Sequence, residues 1–98
     1  MSEWLYQVEV DKIDPEVEDE WNRWYDTVHV PEMTTCPGWL SGTRYVTEEN
    51  GVRRYVCLYE LEGPEALQSE EFQSLRGWGK FQPHLHHVAR LWQRHKPV

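Results

Sequence analysis

The chain has 98 residues, the length of one domain, so we expect a single domain over residues 1–98. Its 17 acidic and 10 basic side chains give a formal net charge of −7, which argues against nucleic acid as a partner. No apolar run approaches the roughly 20 residues of a membrane span, and the N-terminus does not resemble a secretory signal. The acidic balance also argues against an anionic membrane surface as a partner. Two cysteines are too few for a disulfide framework, which favours a cytoplasmic protein with reduced thiols.

The first predicted elements are a strand and a helix. Side chains alternate over Trp4–Val10 in the manner of a β-strand. Asp14 is a favourable N-cap and Pro15 suits the first helical position, so a helix is predicted to begin there. We expect this helix to end near Val30, because the residue before a proline is pushed out of the α region. A further turn to Met33 is the alternative.

Two more strands are predicted over Trp39–Thr47 and Val52–Leu61. Between them lies Asn50–Gly51, and Asn-Gly is the strongest short hairpin signal. The second of these strands carries bulky apolar side chains on both faces. In a sheet with one solvent-exposed face, apolar and polar side chains would alternate along the strand instead. We therefore expect helices on one face of the sheet and a partner subunit on the other.

The last third of the chain predicts a second helical region and a final strand. The helical region begins at Gly63–Pro64 and is expected to divide near Ser69, which can cap a helix over Glu70–Arg76. The final strand is predicted over Leu85–Arg94. The order βαββαβ indicates an α+β, ferredoxin-like fold, a four-stranded antiparallel sheet with both helices on one face. A homodimer formed sheet against sheet is the simplest way to cover the open face.

The first predicted helix has an apolar stripe with two polar aromatic residues at its border. At about 100° per residue, three side chains fall within roughly 40° of Val17 and form one stripe with it. They are Trp21, Trp24 and Val28. Tyr25 and His29 lie at the border of this stripe, one turn apart. A phenol and an imidazole beside a tryptophan face are typical of a pocket floor, so the pattern favours a small-molecule site.

Short motifs across the middle of the chain resemble the signature of EthD-like members of the dimeric α+β barrel superfamily. The motifs are Trp24-Tyr25-Asp26, His29-Val30-Pro31, Pro37-Gly38-Trp39 and Thr43-Arg44-Tyr45. The resemblance implies a ligand cavity between helices and sheet in each subunit of a dimer, with His29 beside it. It implies relatives that include muconolactone isomerases, small polyketide cyclases, cofactor-free quinone-forming monooxygenases and proteins with no assigned reaction. Some of those cyclases use a histidine after the second helix; Ser69–Trp78 contains none, so that chemistry is not carried over.

His29 and Tyr25 are the predicted catalytic residues. The ordinary pKa of a histidine is near 6.5, so His29 suits a general base or acid at neutral pH, and Tyr25 would orient it or hold a substrate oxygen. Trp21, Trp24 and Trp78 are predicted to hold a flat hydrophobic ligand against the sheet. The alternative is that His29 is only a polar cap on the core.

Arg44 and Tyr45 are the remaining predicted substrate-binding residues. They point to opposite faces of one strand, so at most one of them lines a cavity directly. The guanidinium of Arg44 suits a carboxylate or enolate. Its alternative, which we favour slightly, is a salt bridge to the acidic residues of the first helix.

The histidines near the last strand raise the question of a metal. His84 and His86 would share a strand face, and His29 would supply a third nitrogen. No carboxylate or cysteine completes a recognisable motif, so we favour a polar strand end and expect neither a metal nor another cofactor.

Three functional hypotheses follow. The first is a cofactor-independent enzyme of isomerase, cyclase or lyase type, in which His29 moves a proton on a hydrophobic or aromatic oxygenated substrate. Oxygenation without a cofactor is a variant of it. The second is a non-catalytic binding protein for a hydrophobic small molecule. The third is a purely structural dimer whose tryptophans fill the core.

Overall fold

The computed structural model describes residues 2–96 and contains one antiparallel sheet with helices on one face. The strands are β1 (Trp4–Ile13), β2 (Trp39–Glu49), β3 (Val52–Leu61) and β4 (Leu85–Gln93). The α-helices are α1 (Pro15–Trp24), α2 (Val30–Met33) and α3 (Glu70–Leu75), with 3₁₀ turns at Pro64–Gln68 and Gly79–His84. The strand order is β2-β3-β1-β4 and neighbouring strands are antiparallel. The predicted ferredoxin-like α+β fold is confirmed.

The sheet register separates a buried face from an open one. Tyr6 pairs with Tyr59 and Val8 pairs with Cys57, and these side chains point toward the helices. The opposite face carries Leu58 together with exposed aromatic side chains, of which Tyr45 is 55% and Trp92 is 47% exposed. One face therefore forms the core of the subunit, and the other presents apolar surface to its surroundings.

Local sequence signals explain the hairpin and one helix start. Asn50 and Gly51 have φ angles of 53° and 77°, the two positive values that a tight hairpin turn requires. Ser69 caps α3 by accepting a hydrogen bond from the backbone N–H of Phe72 over 3.1 Å. Asp14 precedes α1 as predicted, but its carboxylate makes no capping bond because it pairs with His84 instead.

The first helix continues past Val30, so of the two predicted ends the further turn to Met33 is the one observed. Val30 is α-helical, with φ −60° and ψ −47°, and the helix continues to Met33. A π-helical turn over Tyr25–His29 joins α1 to α2. Pro31 lies in the first turn of the segment that follows, where a missing backbone N–H is tolerated.

The π-helical turn also changes which face of the helix is buried. A turn closed by i→i+5 hydrogen bonds rotates by less than 100° per residue, so residues four apart stay on one side. Tyr25, His29 and Met33 are therefore buried in line with Trp21. Val28, which was expected in the apolar stripe, is 39% exposed.

Within residues 2–96, no helix is long and apolar enough to cross a membrane.

Several strand ends differ from the prediction by a few residues. β1 continues past Val10 to Ile13, because a register shift between Val10 and Lys12 lets Lys12 pair with His86 and Ile13 with Leu85. Such a shift is typical of a β-bulge, in which one strand carries an extra residue opposite its partner.

Candidate functional site

A cavity of about 170 Å³ lies between the helices and the sheet. Its sheet side is formed by Tyr6, Val8, Tyr59 and Ala89. Its mouth is marked by three exposed side chains, Arg76, Gln82 and His87. A mostly apolar hollow with a few polar groups is typical of a small-molecule site.

The π-helical turn delivers two ionisable aromatic side chains to this cavity. Tyr25 is 2% exposed and His29 is 7% exposed, and both line the hollow. Their ring centroids are 5.3 Å apart at an interplanar angle of 76°. The imidazole of His29 stacks on Trp24, with centroids 4.7 Å apart and planes inclined by 19°. The wide turn thus directs the phenol and the imidazole to the same volume.

Burial holds the His29 imidazole neutral. The loss of water around the ring lowers the pKa of His29 from 6.5 to about 4. None of the salt bridges in the described part of the chain involves this ring. At neutral pH the side chain is therefore unprotonated, and the same lowered pKa makes it a weaker base than an exposed histidine.

The depressed pKa of His29 predicts a loss of stability in mild acid. The unfolded chain protonates this histidine below about pH 6.5, whereas the folded protein does so only near pH 4. As the pH falls from 7.5 to 5, the unfolded state binds more protons, and the wild type should lose about 2 kcal/mol more than His29→Gln. Urea unfolding of both proteins at the two pH values measures the difference, and equal losses would contradict a neutral, buried His29.

Tyr25 is suited to donate a hydrogen bond rather than to accept a proton. Burial, the largest cause, raises the pKa of the Tyr25 phenol far above its ordinary value. Burial likewise raises the pKa of Tyr59, whose hydroxyl is buried and has no hydrogen-bond partner among residues 2–96. Both phenols stay protonated at neutral pH, so the inner end of the cavity is rich in O–H groups and poor in charge.

Trp78 forms a wall of the cavity near its mouth. It lines the cavity and is almost fully buried, and its indole Nε1–H donates to Nδ1 of His87 over 3.0 Å. Partial burial, the largest cause, lowers the pKa of His87, and the nearby side chains of His86 and Arg76 add to this effect. A neutral His87 that accepts at Nδ1 carries its proton on Nε2, which makes it a second donor at this end of the site.

His87 lines the cavity, although sequence reasoning did not select it as a site residue. Strand alternation contained the signal, because His87 shares a face with Ala89 and that face packs against the helices. Arg76 and Tyr59 were missed as well. No local motif identifies them, since α3 and the sheet bring them to the cavity from separate parts of the chain.

Trp21 and Trp24 lie outside the cavity lining. Trp21 is fully buried and packs edge-on against Tyr25 and Tyr55, with centroids 5.4 and 5.0 Å apart. Trp24 lies behind His29, on which it stacks. The two indoles support the site from the core side.

Arg44 and Tyr45 are also away from the cavity. The guanidinium of Arg44 donates to Asp26 Oδ1 and to Asn22 Oδ1, both over 2.7 Å, so the salt bridge to the first helix is the arrangement observed. The same group lies 4.1 Å from the ring centroid of Tyr25 and helps to fix that ring. Tyr45 projects from the open face of the sheet.

The three histidines considered for a metal are not brought together. His84 Nδ1 lies 3.0 Å from Asp14 Oδ2, and His86 Nδ1 lies 2.6 Å from Asp11 Oδ1. His29 faces the cavity instead. Among residues 2–96, the one group with closely spaced ligand atoms is Asp14, Glu16 and His84, at the surface near the start of α1.

Residues 3–91 match the family model named domain of unknown function DUF4286. The chain belongs to this family. The more specific EthD-like assignment predicted from the central motifs is not shown by this match. No curated protein matches the chain.

Solved structures share the fold of this DUF4286 protein. An antibiotic biosynthesis monooxygenase has 20% identity and a TM-score of 0.69, over 94% of this chain and 99% of its own. A single-residue mutant of SnoaB, a cofactor-independent oxygenase from Streptomyces nogalater, has 11% identity and a TM-score of 0.70, over 99% and 98%. A dimeric ferredoxin-like protein from an uncultured marine organism has 16% identity and a TM-score of 0.65, over 97% of each chain. The TM-scores establish a common fold, and at identities this low the likeness is one of fold alone.

Proposed function

We propose that this protein is a cofactor-independent enzyme that removes a proton from a hydrophobic, oxygenated small molecule. The observation that carries the proposal is the position of His29, a neutral imidazole on the wall of a cavity beside the protonated phenol of Tyr25. A base must be deprotonated and a donor protonated at the working pH, and burial favours both states here.

In the proposed reaction, His29 takes a proton from a carbon or oxygen of the ligand. Negative charge then develops on a ligand oxygen, and the O–H of Tyr25 donates a hydrogen bond to it. The apolar surroundings strengthen that interaction relative to water. Return of the proton to another atom gives isomerisation, and loss of a leaving group gives elimination. Attack of a carbanion on a carbonyl carbon of the same ligand breaks the C=O π bond, and protonation of the resulting alkoxide by His29 completes a cyclisation.

Cofactor-free oxygenation is a second candidate with the same first step. An antibiotic biosynthesis monooxygenase and a cofactor-independent oxygenase share the fold, which supports considering this chemistry. The carbanion formed by His29 would give one electron to dioxygen and combine with the resulting superoxide, and the peroxide anion formed would take a proton from His29 to give a hydroperoxide. The non-catalytic alternative is a binding protein that uses the same cavity, and the EthD-like resemblance of the central motifs is compatible with each of these functions.

A hydrogen exchange assay tests the proton-transfer step without knowledge of the natural substrate. The probe is 2-tetralone, an aromatic ketone with an acidic C–H next to its carbonyl, incubated in D₂O. We expect the protein to accelerate deuterium incorporation at that carbon, as followed by NMR, and an oxygen electrode reports whether dioxygen is consumed. Saturable binding without exchange would favour the non-catalytic alternative.

We also propose that two copies associate through the open face of the sheet. The exposed apolar side chains on that face and the dimeric ferredoxin-like protein of the same fold support this arrangement. Leu58→Lys would place a charge in the interface and should weaken the dimer about 100-fold, because a buried unpaired charge costs several kcal/mol. Analytical ultracentrifugation measures the effect, and Val28→Lys on the helix side is the matched control. An unchanged dimer in Leu58→Lys would exclude this face.

A further inference from the structure

The charge lining the cavity is opposite in sign to that of the whole protein. The chain carries 17 acidic side chains and a net charge of −7. None of the described residues that line the cavity is acidic, and Arg76 is the one among them that carries a permanent charge. The other polar lining groups are neutral phenols, imidazoles and an amide. A negatively charged ligand in this cavity therefore meets no repelling carboxylate among the described lining residues.

Arg76 is held at the rim of this cavity. It follows α3, and its backbone N–H donates to the carbonyl of Phe72 over 2.9 Å. Its guanidinium donates to Gln73 Oε1 over 3.2 Å and lies 5.8 Å from the ring centroid of Phe72, which also lines the cavity. Within residues 2–96 no carboxylate forms a salt bridge with Arg76, and the side chain is exposed.

The Arg76 charge is close to other polar groups of the cavity. It contributes to the lowered pKa of His87 and opposes the burial that raises the pKa of Tyr6. Gly77 has a φ of 106°, a conformation that favours glycine, and it lets the chain turn from Arg76 at the rim to Trp78 in the wall. A cation, an indole and a neutral imidazole thus surround one opening.

We propose that the ligand is an aromatic carboxylate whose carboxylate pairs with Arg76 at the mouth while its ring enters the cavity toward His29. This inference rests on the proposed function, because it specifies the ligand of the same site. The planar guanidinium offers two parallel N–H donors to a carboxylate. The apolar interior disfavours a charge, so the ligand enters with its ring first and its carboxylate stays at the rim.

Binding of matched acids and esters tests the proposal. The probes are benzoate, 2-naphthoate and their methyl esters, which differ within each pair by the charge, and binding is followed by calorimetry and tryptophan fluorescence. We expect each acid to bind about 10-fold or more tightly than its ester. Arg76→Gln should weaken acid binding by about 10- to 100-fold and leave the esters unchanged. Arg23→Gln, an exposed arginine on α1 away from the cavity, is the matched control.

Two different outcomes separate failure of this inference from failure of the proposed function. If acids and esters bind equally well and Arg76→Gln changes neither, the carboxylate assignment is overturned and the hydrophobic site stands. If none of the four probes shows saturable binding to the wild type, the aromatic carboxylate assignment is overturned, and deuterium exchange into 2-tetralone decides separately whether the proposed function stands. Raising the salt concentration should weaken the acids alone.

Discussion

His29→Gln is expected to lower the rate of proton exchange, expressed as kcat/KM for 2-tetralone, by about 1,000-fold. The neutral imidazole is the one group on the cavity wall that is both buried and ready to accept a proton at pH 7. Glutamine is polar and of similar length but is not basic, so the affinity for the ligand should change by less than about threefold. NMR exchange rates and calorimetry on the same protein samples give the two quantities.

The control for this variant is His86→Gln, which replaces an exposed histidine that pairs with Asp11 outside the cavity. Its exchange rate should match that of the wild type. Full activity in His29→Gln would assign the proton transfer to another group, and a parallel loss of binding and rate would indicate that His29 positions the ligand rather than reacting with it.

Trp21→Ala is expected to lower the free energy of unfolding by about 3 to 5 kcal/mol. Trp21 is fully buried and packs against Tyr25, Tyr55 and Trp78, so its removal leaves a large void at the centre of the aromatic core. Urea denaturation monitored by circular dichroism measures the loss. This is the behaviour of a core residue, in contrast to the ligand-binding role predicted from the helix stripe.

A milder pair of variants separates core packing from ligand contact. Trp21→Phe retains much of the packing and should bind 2-naphthoate like the wild type. Trp78→Phe removes a residue that lines the cavity and the indole N–H that donates to His87, and it should weaken binding about 10-fold. If Trp21→Phe weakened the binding of 2-naphthoate and Trp78→Phe did not, Trp21 would be the residue that contacts the ligand.

The sheet could be predicted because its signals are local. Successive side chains of a strand point to opposite faces, and the alternating set Trp4, Tyr6, Val8 and Val10 predicted for one face of β1 is the set that packs in or against the core. Asn50–Gly51 specifies the hairpin by its own backbone preferences. Bulk on both faces of β3 indicated an open apolar face, and the structure has one.

The face of the first helix could not be predicted correctly from a fixed rotation of 100° per residue. That rotation placed Val28 inside and His29 at the border, whereas the π-helical turn exposes Val28 and buries His29. A π-helical turn depends on how the helix packs against the sheet, and the alternation of residues in one segment does not encode it.

The candidate site was predicted in part. His29, Tyr25 and Trp78 come together around the cavity, and their chemical roles stay predictions. Two interpretations of Arg44 were open from the sequence, a substrate carboxylate and, slightly favoured, a salt bridge to the acidic residues of the first helix. The structure has the salt bridge, to Asp26.

The pH dependence of proton exchange tests the central claim, that a neutral His29 in this cavity accepts the proton, most directly. Exchange of 2-tetralone is measured from pH 3.5 to 8 under kcat/KM conditions, which report the ionisation of the free protein. The rate should be constant down to about pH 5 and fall with an apparent pKa near 4, the pKa to which burial lowers His29. A profile that falls near pH 6.5, or one unchanged in His29→Gln, would contradict the account.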